Sequence, residues 1–322
     1  MRGPRKGQIT AFSDAFARAD GALGNGWTGA TWAIASGAAV NTPTAGGELL
    51  TNGDMETGDP PNNWLSYNSA TLDGVADERT GGAGAQSLSV VNGAASPGRA
   101  YQSISGQANK WLLISGWGKV VTDSRAQLVL ANNVGAMVAA KYVTGGWEQM
   151  RMAALMLTNG SLYVQNFTST IGHESRYDDL SILPLTSLLA TRSYGAADVK
   201  CGIELTLPAG GLPAGVVTNL DNPANPQNYV LAYHDKTYAY LVKVVAGTAT
   251  QLIKLAAAYA AGSAAEIWKS GTTYQLRYGG TQVGADQTID EATINNNLYH
   301  GIFSTDPGNS LDNFSLDPWN GT

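Results

Sequence analysis

Along much of this chain, apolar and polar residues alternate with a period of two. The runs "KWLLISGWGKV" (110–120), "AQLVLANN" (126–133), "GSLYVQNF" (160–167), "YAYLVKVVAG" (238–247) and "TYQLRYGG" (273–280) are short, rich in β-branched or aromatic residues, and punctuated by Gly or Asn. Successive side chains on a strand point to opposite faces, so each run offers one row to a core and one to solvent. Many such runs at close spacing predict antiparallel sandwiches. Helical periodicity is almost absent. The Ala-rich stretch "LIKLAAAYAAGSAAEIW" (252–268) is the best candidate, but its apolar residues do not sort onto one face and Gly262 interrupts it. Strand–turn–strand is predicted there, with a short helical turn as the alternative.

Two phrases nearly repeat. "RYDDLSILPL" (176–185) and "SLDNFSLDPW" (310–319) both read acid, acid or amide, apolar, Ser, apolar, and then reach a proline. A strand of this kind closes a sandwich with its apolar face inward and its acids at the rim. Two closing strands imply two sandwiches, ending near Leu185 and near Pro318.

Composition narrows the class. At 322 residues the chain is long enough for two cores, and 43% hydrophobic with only 14% charged residues is the balance of a globular protein. Its 39 glycines fit many tight turns. The net charge of −6 argues against nucleic acid as a partner. Arg2, Arg5 and Lys6 form a small basic arm, read as a solvated tail or as an arm that docks on an acidic neighbour. The lone Cys201 forbids an intrachain disulfide and alternates with apolar residues, as a buried small hydrophobe would. No apolar run is long enough to span a bilayer, and no apolar segment follows the basic N-terminus as in a signal peptide. The expectation is a protein made in a cytoplasm, with no membrane partner.

Residues 46–185 resemble the galactose-binding-like jelly rolls found among carbohydrate-binding modules. The resemblance is carried by "LLTNGDMETGDPPNNW" (49–64), "AYQSIS" (100–105), "WLLISGWGKV" (111–120), "GGWEQMRMAALM" (145–156) and "YDDLSIL" (177–183), in that order. It implies a structural Ca²⁺ where the opening Glu56 meets the closing Asp178 or Asp179. Ca²⁺ takes six to eight oxygens, and rim carbonyls can complete a shell begun by two carboxylates. A hydrogen-bonded acid without metal is the equal alternative. The resemblance also implies a glycan ligand, stacked on exposed aromatics and held by amides. Trp64, Tyr67 and Tyr101, with Asn62 and Asn63, are the candidates, although Trp64 reads more readily as core. Trp111, Trp117 and Trp147 lie within alternating strands and are expected in the core.

The flanks read as one further domain, 1–45 with 186–322. The segment "FSDAFARADGALGNGWTGATWAIASGAAVNTP" (12–43) is too short to fold alone and has no closing strand. It resembles the opening of laminin-G/concanavalin-A-like sandwiches through Asp14, Phe16, Arg18, Asp20, Gly21, Leu23, Gly24 and Trp27, followed by Trp32 and Ile34. The C-terminal stretches "YGAADVKCGIEL", "TTYQLRYGGTQVGADQTID" and "LYHGIFSTDPGNSLDNFSL" supply its remaining strands. The predicted architecture is all-β: a guest jelly roll inserted into a loop of a host sandwich, which is tolerated when the guest's ends lie close together.

Signatures of catalysis are lacking. His173, His234 and His300 are far apart with no metal-ligand spacing, and there is no GxSxG elbow or P-loop. The Glu-x-Asp-x-x-Glu pattern of some concanavalin-like glycosidases does not occur. The leading expectation is a non-enzymatic bacteriophage virion protein, a capsid decoration or a tail or fibre component, displaying a carbohydrate-binding domain. Its expected partners are other virion proteins, further copies of itself and cell-surface glycans. A carbohydrate-binding accessory protein is the alternative, and a glycoside hydrolase a weaker one.

Overall fold

The computed structural model describes residues 9–321, except 78, 80, 83, 134, 135 and 211. The basic arm of Arg2, Arg5 and Lys6 lies outside the described residues. The protein is all-β: 27 strands and one four-residue helix, Ala292–Asn295, are formed among the described residues. The chain divides into two compact units, Met1–Thr44 with Ser187–Thr322, and Ala45–Thr186.

The guest unit is a sandwich of two antiparallel sheets. One has the order Glu148–Met156, Lys110–Val120, Glu174–Thr186, Ser87–Val91, Thr71–Val75. The other runs Met137–Val143, Ala126–Asn132, Gly160–Asn166, Arg99–Ile104, Leu65–Tyr67. Alternation sends Leu112 and Ile114 from the first sheet, and Leu128, Leu130, Leu162 and Val164 from the second, into one core. Fully burying a side chain of this size contributes about 1.5–3 kcal/mol. The guest's two ends are neighbours, since the Gly46 N–H donates to the Pro184 carbonyl at 2.7 Å.

The host unit pairs a ten-stranded sheet with a six-stranded one, around a core that includes Phe16, Trp32, Ile34, Cys201, Ile267 and Phe314. The N-terminal segment is woven into it. Phe12–Asp14 pairs with the last strand, Phe12 opposite Leu316 and Asp14 opposite Phe314. Asp14 explains the motif around it: its carboxylate accepts from the Phe16 N–H (2.9 Å), the Arg18 guanidinium (2.6 Å) and the Trp27 indole (3.0 Å). Trp27 then meets Phe314 edge-on at 4.9 Å. The Ala-rich stretch forms strand–turn–strand, Thr248–Ala256 and Ser263–Ser270. Cys201 is fully buried, and burial pushes its thiol pKa up, leaving it inert.

The repeated phrase has a structural cause beyond closure. Both copies lie inside a sheet, and each carries a β-bulge at the same place. In the guest, the register against Lys110–Val120 shifts between Ser115 and Trp117, opposite Asp179 and Leu180. In the host, the register against Val199–Thr206 shifts between Gly202 and Glu204, opposite Asn313 and Phe314. Asp179 (φ 46°) and Asn313 (φ 51°) take the left-handed conformation that Asp and Asn tolerate best. The preceding acid caps the bulge each time: Asp178 Oδ1 accepts the Asp179 N–H at 2.8 Å, and Asp312 Oδ1 the Asn313 N–H at 2.7 Å.

His234 and His300 are structural. His300 is buried, with Nε2 against the Ala196 carbonyl (3.0 Å) and Nδ1 accepting the Asn219 N–H (3.4 Å). Those partners assign the neutral tautomer with hydrogen on Nε2. Burial depresses its pKa to about 4. His234 is held the same way, with Nε2 against the Ala257 carbonyl and Nδ1 accepting the Lys236 N–H.

Candidate functional site

The outer face of the guest's five-stranded sheet concentrates rings and amides. Cross-strand register builds it in rows. One row reads Tyr142, Gln127, Gln165, Arg99, Tyr67, and the next reads Ala140, Val129, Tyr163, Tyr101, Leu65. Their neighbours along each strand, such as Ala126, Leu128, Val164 and Ala100, point into the core. Period two therefore puts the chemistry outside.

Three tyrosines make a cluster at one end. Tyr101 and Tyr163 stack at 5.4 Å between ring centroids, with planes 29° apart. Tyr67 stands edge-on to both at 6.3 Å and is 49% exposed. Beside them Gln165 donates from Nε2 to Gln127 Oε1 at 2.7 Å, a pair of amides that keeps further donors and acceptors for a ligand. The backbone beneath that pair is pinned from across the core. Tyr177, on the other sheet, donates its hydroxyl to the Gln165 carbonyl (2.5 Å) and accepts the Gln127 N–H (3.0 Å). At the far end Arg125 lies over Tyr142 and Phe167, at 4.5 and 4.4 Å, and both rings are about half exposed. A tyrosine face carries partial negative charge that suits the weakly positive C–H face of a pyranose, while amides suit its hydroxyls.

The residues singled out from the sequence separate. Tyr67 and Tyr101 lie on this face, next to each other. Trp64 does not: it is 5% exposed, packs in the guest core, and donates its indole N–H to the Asn52 carbonyl at 3.1 Å. A ring so covered cannot stack on a sugar. Asn62 and Asn63 are exposed but belong to the opening loop, where Asn52 Nδ2 donates to the carbonyls of Thr57 (2.9 Å) and Asn62 (3.2 Å). Trp111 is buried, whereas Trp117 and Trp147 are only half buried, beneath Arg79 (4.6 Å) and Lys119 (5.9 Å). Those two belong to the outer side of the first sheet rather than to the core.

The acids expected at a calcium site also divide. Glu56 Oε1 accepts the N–H groups of Ala85 (2.9 Å) and Gln86 (2.8 Å). A Cβ on Gly84 would fall 2.1 Å from the Glu56 carboxyl carbon, and one on Gly82 would fall 3.4 Å from Asp178 Oδ2. Glu56 and Asp178 thus lie beside Gly84 and Gly82, two residues apart. Asp178 is buried, and burial together with the charge of Asp179 raises its pKa to about 6. Asp179 is engaged elsewhere, by the Arg79 guanidinium, whose Nε donates to it at 2.7 Å. Among the described residues no three His, Cys, Asp or Glu side chains come close enough to hold a metal ion. Glu56 and Asp178 are the two carboxylates that remain, beside Gly84 and Gly82.

The host unit has an open concavity of about 430 Å³ lined by Asp198, Lys269, Thr272, Asn295 and Asn296. Its buried lysine is occupied, donating to Asp198 Oδ1 (2.5 Å) and the Asn295 carbonyl (2.7 Å).

No protein-family model matches the chain, and no match is found among curated proteins. Solved structures give weak likenesses. The tandem CBM22-1–CBM22-2 domain of Paenibacillus barcinonensis Xyn10C is 12% identical, covering 86% of this chain and 99% of its own, with a TM-score of 0.35. An arabinose-bound α-L-arabinofuranosidase, MgGH51, is 17% identical over 44% of this chain, with a TM-score of 0.36. The enzymatically active domain of bacteriophage CBA120 tailspike protein 4 is 13% identical over 42%, with a TM-score of 0.34. The chain spans only 28% and 21% of the length of those last two proteins. At such scores the fold and the site rest on the chain's own strand order and side chains.

Proposed function

We propose that this chain is a non-enzymatic virion protein of a bacteriophage whose guest sandwich binds glycan on the outer face of its five-stranded sheet. The observation that carries this is the tyrosine cluster of Tyr67, Tyr101 and Tyr163 beside the Gln127–Gln165 amide pair. Binding without turnover fits the same face, because its five strands contain no Asp or Glu. Glycoside hydrolysis ordinarily needs two carboxyl groups flanking the bond. The host sandwich, of laminin-G/concanavalin-A type in this reading, would attach the chain to other virion proteins and to further copies of itself, as a capsid decoration or a tail or fibre component. The single buried thiol supports folding in a reducing cytoplasm before release.

On a glycan array the full chain is expected to bind a defined set of polysaccharides, and Tyr101→Ala or Tyr163→Ala to weaken that binding by about tenfold while the fold persists. A flat array, or binding untouched by both changes, would remove the face from the function. In the same proposal Glu56 and Asp178 would hold a structural Ca²⁺ that offsets buried negative charge. One calcium per chain by mass spectrometry, and a lower guest unfolding temperature in chelator, are expected. A metal-free protein indifferent to chelator would leave these acids as hydrogen-bonding groups only.

A further inference from the structure

We infer, resting on the glycan-binding reading above, that the ligand is an acidic polysaccharide whose carboxylates are taken by Arg99 and Arg125. The first ground is sign. The chain carries a net charge of −6, yet the five strands of this sheet hold no acid, Arg99 stands in the outer row, and Arg125 immediately precedes the Ala126 strand. A cationic face on an acidic protein favours an anionic partner and discourages self-association through that face.

The second ground is what the two guanidiniums touch. Arg99 lies over Tyr67 (5.7 Å) and Tyr163 (5.6 Å), and Arg125 over Tyr142 (4.5 Å) and Phe167 (4.4 Å). Elsewhere in the guest, Arg79 is paired with Asp179, and Arg176 with Asp77 and Glu174. Among the described residues no carboxylate pairs with Arg99 or Arg125. Arg99 Nε is buried and has no hydrogen-bond partner, a donor left over in a well-packed sheet. Rings hold each planar guanidinium in place, and a carboxylate meets the terminal Nη edge of such a group with two parallel hydrogen bonds.

The third ground is spacing. Register puts Arg99 two strands across from Gln127, and Arg125 two residues along from it. Strand geometry then separates the two arginine backbones by about 12 Å. With each guanidinium held over its own pair of rings, the spacing fits a ligand with acids on more than one sugar, its hydroxyls meeting the Gln127–Gln165 pair.

The test uses the full chain with polygalacturonate, the same polymer after reduction of its carboxyls, and a sulfated polysaccharide. Polygalacturonate is expected to bind about tenfold or more tightly than its reduced form, and to weaken as salt rises. Arg99→Gln and Arg125→Gln should each remove most of that difference, lowering affinity for polygalacturonate far more than affinity for the reduced polymer. Arg99→Lys, which keeps the charge and loses the fork, should fall between. Circular dichroism of each variant separates lost contact from lost fold. Equal binding of both galacturonate polymers, or a difference untouched by the glutamine variants, overturns the acidic-ligand inference and leaves glycan binding standing. Preference for the sulfated polymer overturns the carboxylate assignment. Binding of no glycan at all, neutral or acidic, overturns both.

Discussion

Excising residues 46–184 and bridging the gap with a short linker is expected to leave a cooperatively folding host. The host carries its own core, from Phe16 and Trp32 through Cys201 and Ile267 to Phe314, and its first strands already pair with its last. The guest's ends are joined by a hydrogen bond at Gly46 and Pro184, so its removal leaves a short gap. The excised chain should also show the host's own acid sensitivity. His300 has a folded pKa of about 4, below its ordinary 6.5, so the unfolded chain takes the proton first. Its contribution is full above pH 6.5 and is lost between pH 6.5 and 4, by up to about 3 kcal/mol. His234, also lowered chiefly by burial, adds in the same direction. Urea unfolding across that window reads the slope, and His300→Gln should flatten it. A soluble but unfolded excised chain would contradict the insertion.

Gly53→Ala is expected to destabilise the guest by about 3 kcal/mol or more while the host's unfolding stays where it was. Gly53 passes directly under the closing strand. Its carbonyl accepts the Leu180 N–H at 2.8 Å, and a Cβ would fall 2.0 Å from the Leu180 carbonyl oxygen. That oxygen is backbone and sits beside the bulge, so it cannot step aside as a side-chain tip would. Gly47→Ala is the control: its Cβ would meet nothing within 4 Å, and a change within about 0.5 kcal/mol is expected. Calorimetry resolving the two units reads both variants. Equal behaviour of the two glycines would mean that the opening loop does not depend on this contact.

The strands were legible because their period of two is written locally, as in "GSLYVQNF" and "AQLVLANN". The repeated phrase marked two closing strands, but not the bulge in each. Asp179 and Asn313 take their left-handed turn from the pairing around Gly116 and Ile203, which no local window contains. The helix at Ala292–Asn295 was invisible for a simpler reason: four residues cannot display a helical period. At the site, Tyr67 and Tyr101 followed from the opening motif and its neighbouring strand. Tyr163, Gln127, Gln165, Arg99 and Arg125 were missed because only cross-strand register gathers them. The available signal was that Tyr163 and Gln165 occupy the outward positions of one run, and Gln127 that of another. Trp64, a stacking candidate by residue type that reads more readily as core, is indeed packed in the guest core.

The site itself is best tested by an NMR titration of the full chain with a bound oligosaccharide, read at the side-chain amides of Gln127 and Gln165 and at the Nε–H groups of Arg99 and Arg125. A glycan-binding face predicts that these signals move first and furthest, with the tyrosine rings of residues 101 and 163. Shifts confined to the host, or to the opposite sheet of the guest, would contradict it.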